Sequence, residues 1–265
     1  MYSVNAATAA AWRALLEWVI SRAGVDVEVI DYPPPQPLPA LWARDDLAGV
    51  FMCGYPFSRA VPQPKILAAP VPAMRRCSGE PVYWTDIVVR ADSSIHRLED
   101  SFGKRFAYTA PDSQSGYHAP RHLLAPYAAE RGGRLFSEVV GPLITPRRVV
   151  EAVLAGVCDA GPVDSYALEL LRATEPDVVS GLRVIASTAP TPIPPLVASP
   201  AVDAFVCARL AEAFGQASNA DDAAGFRRAL RLDGFTRPDR VAYAVLSTRA
   251  AEATSLSHAL DFPQL

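Results

Sequence analysis

Residues 108–124, YTAPDSQSGYHAPRHLL, hold the side chains whose types and spacing best suit chemistry. The pattern predicts a strand ending at Thr109, a turn over Ala110-Pro111-Asp112, and a helix starting near Ser113–Ser115. The first N–H groups of a helix have no internal acceptor, and the helix dipole adds positive potential there. Three small polar side chains at such a start form a candidate anion site, with Ser113, Gln114 and Ser115 as donors and Gly116 letting a ligand approach the backbone. Ordinary capping by Asp112 or Ser113 accounts for the same pattern.

Other reactive types lack the spacing their chemistry needs. His118 and His122 share a helix face, but the residues between them offer no glutamate and no third ligand is apparent, so no metal site is expected. His96 and His258 are isolated, and Asp221-Asp222 reads as a helix start. There is no nucleophile elbow, P-loop or dinucleotide fingerprint, so no catalytic set and no cofactor are expected. Cys53, Cys77, Cys158 and Cys207 form no C-x-x-C pair; buried thiols account for Cys158 and Cys207.

The elements that must position the turn follow from periodicity. Residues 6–23 read as an amphipathic helix with Trp12, Leu15, Leu16 and Val19 on one stripe, stopped by Gly24. Strands are expected at 25–32, 49–53, 65–71 and 83–90, with a short helix near Leu41–Asp46. From 104 the rhythm becomes regular: strands at 104–109, 137–141, 159–163 and 182–187 alternate with helices at 114–130, 146–156 and 165–173. Thr145 and Pro146 suit the opening of the second of these helices. This alternation implies an α/β fold with a mainly parallel sheet. Helices at 202–216, 221–232 and 238–252 close the chain. Two lobes are expected, 1–87 with 188–265 and 88–187, the last helices covering the first lobe's sheet.

Composition sets limits. The 265 residues suffice for two cores, and half are hydrophobic. The net charge of -3 and the lack of a basic block give nucleic acid no footprint. No apolar run is long enough to cross a bilayer. The N-terminal stretch has no basic region and is interrupted by Arg13 and Glu17, so it does not read as a secretory leader.

The run PDSQSGY, between strand and helix, resembles the anion-binding turn of the phosphate/phosphite/phosphonate substrate-binding family of ABC transporters. GVFMCGYPFSRAV (49–61), CSGEPVYWTDIVVRADS (77–93), VVEAVLAGVCDAGPVDSYALELL (149–171) and LRVIASTAPTPIPPLVAS (182–199) resemble further segments of that family in the same order, and MYSVNA resembles the turn after its first strand. The resemblance implies a two-lobed type II periplasmic-binding-protein fold, two α/β lobes joined by two crossover strands. It implies a ligand in the cleft, held by Ser113, Gln114 and Ser115, with Tyr55 and Tyr83 lining the first-lobe side. Asp164 would face the ligand's other end with Ser165 beside it, and Tyr2 would close the cleft. Packing accounts equally for the tyrosines, and helix capping for Asp164. A Cys53–Cys77 disulfide is implied if the protein is exported; reduced thiols are the alternative.

Two departures stand out. Pro146 occupies the place of a histidine in the family's phosphonate binders, with Arg147 and Arg148 beside it; an arginine could replace the lost contact, and a solvated role for both arginines is the alternative. The chain also begins where the family's first strand has ended. The function implied is a monomeric solute-binding protein, not an enzyme, that takes a small anion and passes it to an ABC permease. It would be periplasmic if exported and cytoplasmic otherwise. An enzyme on the same fold acting on a small cofactor precursor, or a cytosolic ligand sensor, are the alternatives.

Overall fold

Asn5 starts the first helix, α1 (Ala6–Ala23): its side chain accepts from Thr8 N and the Thr8 hydroxyl accepts from Asn5 N. Gly24 ends it at φ 63°, a left-handed conformation that suits glycine. A computed structural model describes residues 2–256, so His258 lies outside the described residues. The rest of the first leg holds α2 (Leu38–Trp42), β1 (Val50–Phe51), α3 (Gly54–Arg59), β2 (Lys65–Pro72) and β3 (Val82–Tyr83).

The second leg carries the regular alternation. It contains β4 (Thr85–Arg90), β5 (Arg105–Ala107), α4 (Ala119–Glu130), β6 (Glu138–Val140), α5 (Pro146–Leu154), β7 (Ala160–Asp164), α6 (Ser165–Thr174), α7 (Pro176–Ser180) and β8 (Leu182–Ser187). The chain then forms β9 (Thr191–Pro192), β10 (Leu196–Ala198), α8 (Ala204–Ala217), α9 (Ala224–Ala229), β11 (Leu232–Thr236) and α10 (Ala244–Leu256).

These elements make two compact units. Unit 1 takes the chain up to Val82 and from Pro192 to Tyr243; unit 2 takes Tyr83 to Thr191 and the chain from Ala244. The boundaries thus differ from those expected, most clearly at the last helix. α10 packs on α4 in unit 2, its Ala253 lies in that unit's core, and Glu252 meets His122 at 3.0 Å. The reason is local to its sequence: the small face of Ala250 and Ala253 is buried and allows close approach.

In unit 2 the sheet order is β6-β5-β7-β4-β8. β6, β5 and β7 are parallel, while β4 is antiparallel to both its neighbours. The core centres on Phe106, Tyr117, Leu124 and Phe136, with Phe106 stacked on Phe136 at 4.4 Å. Unit 1 has the order β1-β10-β2-β11, and all of its ladders with described registers are antiparallel. The expectation of a mainly parallel sheet therefore holds only for the three strands joined by helices. Strands that enter a sheet from the other unit's leg need no helical crossover and run against their neighbours.

Two further expectations change. Residues 25–32 form no strand, although Val25, Val27 and Val29 are half-buried between exposed neighbours. Helical periodicity over 221–232 conceals the last strand, β11, whose register shifts between Leu232 and Gly234. Residue 25–32 has the pattern of a strand without a ladder; 232–236 has the ladder without a clear pattern.

Candidate functional site

Each of the three parallel strands in unit 2 runs into a helix, so three helix starts collect at the same end of the sheet. Ligands of open α/β sheets bind at such strand ends. After β5 the chain reaches Thr109 and then a π-helical turn, Gln114–His118, in which His118 N donates to Ser113 O at 3.1 Å. π turns are rare and are frequently found at functional sites. Ser113 caps the turn by accepting from Gly116 N at 3.0 Å, which leaves its hydroxyl hydrogen available to donate.

Gly116 has a different reason from the one expected. A Cβ there would lie 1.8 Å from Thr109 Oγ1, and Gly116 O accepts from Thr109 N at 3.2 Å. The glycine lets the turn press on the strand that precedes it, which fixes the direction of the turn. Gln114 is buried, and its Oε1 has no hydrogen-bond partner among the described residues; the same is true of Thr109 Oγ1. Behind them Gln114, His118, His122, Thr188, Thr191 and Arg249 surround a cavity of about 10 Å³, room for one water.

Thr85 ties the rim together. It stands opposite Asp164 across the β4–β7 ladder, and its hydroxyl donates to Ser115 O at 2.9 Å. Its N–H donates to Thr188 Oγ1 at 3.0 Å, and its carbonyl accepts from Thr188 N at 2.9 Å. Sequence reasoning missed Thr85, Thr109 and Thr188: Thr85 lies in β4, where β propensity alone explains a threonine, and Thr109 and Thr188 lie just beyond the ends of β5 and β8, where a threonine carries no local signal. The helix start after β6 comes to the same place: Leu143 N donates to Tyr108 O and Ile144 N to Thr109 O, at 3.1 and 2.8 Å. Ile144 adopts φ 68°, a strained conformation for a β-branched residue.

Of the residues expected to bind a ligand, Ser113, Gln114 and Ser115 lie together on this turn. Asp164 and Ser165 join them through Thr85, but with structural work of their own. Asp164 Oδ1 accepts from Tyr166 N at 2.8 Å and Ala167 N at 3.0 Å, capping α6. Ser165 exchanges hydrogen bonds with Trp84, Oγ accepting from its N–H at 3.0 Å and N–H donating to its carbonyl at 2.9 Å. Tyr83 is buried in unit 2. In unit 1, Tyr55 is half-buried on α3 with Arg59 over its ring, and Tyr2 is buried edge-on against Phe51.

Two expectations are corrected. Cys53 and Cys77 form no disulfide: Cys53 sits at the start of α3, while Cys77 Sγ donates to Val82 O at 3.3 Å. Burial raises the Cys77 thiol to about 11, so it stays protonated. Arg147 does not replace the contact that Pro146 removes. Its guanidinium is bidentate to Glu175 at 2.7 and 3.0 Å and also meets Glu151 at 2.8 Å. Arg148 is exposed. Near the turn, burial raises the Asp112 carboxyl above its usual value.

The fold agrees with that of known proteins. A family model described as ABC transporter, phosphonate, periplasmic substrate-binding protein matches residues 3–243. Among solved structures, a binding protein component of an ABC phosphonate transporter from Pseudomonas aeruginosa is 20% identical, with a TM-score of 0.77 over 95% of this chain and 90% of that one. PhnD1 from Prochlorococcus marinus, solved in complex with methylphosphonate, is 16% identical, with a TM-score of 0.72 over 94% of both chains. An ancestral arginine-binding protein, 14% identical over 81% of this chain with a TM-score of 0.52, has the same general fold. No curated protein matches the sequence. The fold is the two-lobed type II periplasmic-binding-protein fold, and with nearly the whole chain matched, the protein belongs to the family of periplasmic substrate-binding proteins of ABC phosphonate transporters.

Proposed function

We propose that this protein captures a small phosphorus oxyanion (a phosphonate, phosphite or phosphate) on the Ser113–Ser115 turn and delivers it to a membrane permease. The observation that carries this reading is the π turn itself. It presents serine hydroxyls and the buried Gln114 amide at the meeting point of three helix starts. Such a site recognises an anion through neutral donors aimed by the backbone, without a cation. The methylphosphonate seen in PhnD1 supports the ligand class. Catalysis forms no part of the reading: Asp164, on which an enzymatic role would rest, uses Oδ1 to cap α6. Delivery to a permease follows from the family's role.

Isothermal titration with methylphosphonate, 2-aminoethylphosphonate, phosphite, phosphate and sulfate tests the proposal. Saturable binding of one phosphorus oxyanion is expected. Ser115→Ala should weaken it about ten-fold, the loss of one hydrogen bond to a charged group of ~1.5 kcal/mol. Absence of binding to every phosphorus oxyanion, or an unchanged Kd in Ser115→Ala, would overturn it.

A further inference from the structure

Behind the Ser113–Ser115 turn, unit 2 closes around the cavity of about 10 Å³. Three elements meet there: the turn with the first residue of α4, the segment that follows β8, and α10. Gln114 lines the cavity from the turn and Thr188 from the segment. Leu246, Arg249 and Ala250 line it from α10. Gln114 is 2% exposed, and its Oε1 accepts no hydrogen bond among the described residues. A buried amide oxygen is costly to leave without a donor.

The groups around the cavity differ in what they offer. Arg249 can only donate, and its Nη1 donates to Pro190 O at 2.9 Å. Thr188 donates its hydroxyl hydrogen to Ala189 O at 3.1 Å and accepts from Thr85 N at 3.0 Å, so toward a further partner its Oγ1 can only accept. The wall thus combines a donor with two acceptors, Gln114 Oε1 and Thr188 Oγ1. A species that serves both kinds must donate and accept, and at this size that species is water.

The same balance decides which way the Gln114 amide points. With Oε1 toward the cavity, a water can donate to it and accept from the arginine. With the amide turned over, its NH2 would add a donor beside a cation, and Oε1 would turn its lone pairs on an anion bound at the turn.

We infer that one water resides in this cavity, donates to Gln114 Oε1, and so holds the amide with its NH2 toward the bound oxyanion. The inference rests on the proposed capture of a phosphorus oxyanion at the turn, and it makes Gln114 a donor there. It also gives α10 a part in binding. Leu246 and Ala250, one helical turn apart, are buried in the wall that retains the water, although no residue of α10 belongs to the turn.

A pair of variants at Ala250 tests the inference. Ala250→Val and Ala250→Thr fill the cavity with side chains of nearly the same shape that differ in a hydroxyl. Valine displaces the water and leaves Oε1 without a donor, whereas threonine supplies a donor in its place. Isothermal titration uses whichever of methylphosphonate, phosphite and phosphate binds the parent. Kd should rise about ten-fold in Ala250→Val and stay within about three-fold of the parent in Ala250→Thr. A merely steric role for Ala250 weakens both variants alike; that result overturns the inference, as does an unchanged Kd in Ala250→Val. Should either variant fail to fold, a high-resolution crystal structure of the parent decides. An ordered water within about 2.7–3.2 Å of the Gln114 side-chain amide supports the inference, and no water there overturns it. A parent that binds none of the three anions overturns the reading of the turn and this inference with it. A parent that binds, with both variants equally weakened, overturns this inference alone.

Discussion

Unit 2 and unit 1 solve the same packing problem to different degrees. In unit 2 every helix start after a parallel strand is tied to its neighbours, and Phe106, Tyr117 and Leu124 are wholly buried. In unit 1 the stripe of α1 divides: Trp12, Leu15 and Val19 are buried, while Leu16 and Ile20 remain half-buried and face a cavity of about 460 Å³. A helix stripe and an alternating segment are thus not enough to complete a layer. The layer closes only where a strand lies beneath the stripe to receive it.

Substitutions can sharpen or break this contrast. The largest effect is expected from Phe106→Ala, which removes a fully buried ring stacked on Phe136 and should cost about 3–5 kcal/mol, read as a lower denaturation midpoint. A loss below ~1 kcal/mol would mean that unit 2 is no better packed than unit 1.

A smaller effect is expected at the β5–β7 junction, where Arg105 Nη2 meets Asp159 Oδ1 at 3.0 Å and Arg105 N donates to Asp159 Oδ2 at 2.9 Å. The hydrogen bonds from Arg105 hold the Asp159 carboxyl below its usual range. A lowered folded pKa stabilises the protein above the unfolded value of ~4, and the stabilisation is lost as pH falls through the folded value. Asp159→Asn should therefore lower Tm at pH 7 by an amount on the order of 1 kcal/mol in stability, with the difference from the parent shrinking as pH falls below the unfolded value and through the folded one. A difference independent of pH would show that the carboxylate charge is not what matters.

The smallest effect is expected from Leu16→Phe in unit 1. Overpacking a filled core typically costs ~1–3 kcal/mol, but the added ring here enters the cavity, so Tm should stay within the equivalent of ~0.5 kcal/mol or rise. A loss as large as that for a filled core would remove the contrast between the units.

Much of unit 2 was legible because its signals are local. Thr145 and Pro146 mark α5, and Thr145 Oγ1 does accept from Arg148 N at 3.2 Å. The same holds for LRVIAS, which forms β8 over the expected residues 182–187. The Ser113–Ser115 turn was legible for the same reason: a small polar run between strand and helix is a property of adjacent residues. Thr85 and Thr109 were not legible, since their partners, Ser115 and Gly116, lie on another element.

By itself the sequence determined the helices with their caps, the regular α/β alternation of residues 104–187 and the polar turn at its strand end. These rest on hydrogen bonds and side-chain periodicity within a few residues of one another. Tertiary structure alone decided that Cys53 and Cys77 stay apart, that Arg147 turns to Glu151 and Glu175, and that α10 joins unit 2. It also decided that 25–32 has no ladder while 232–236 has one. Each of these depends on which distant backbone or charge comes alongside, and a strand in particular exists only by virtue of its neighbour.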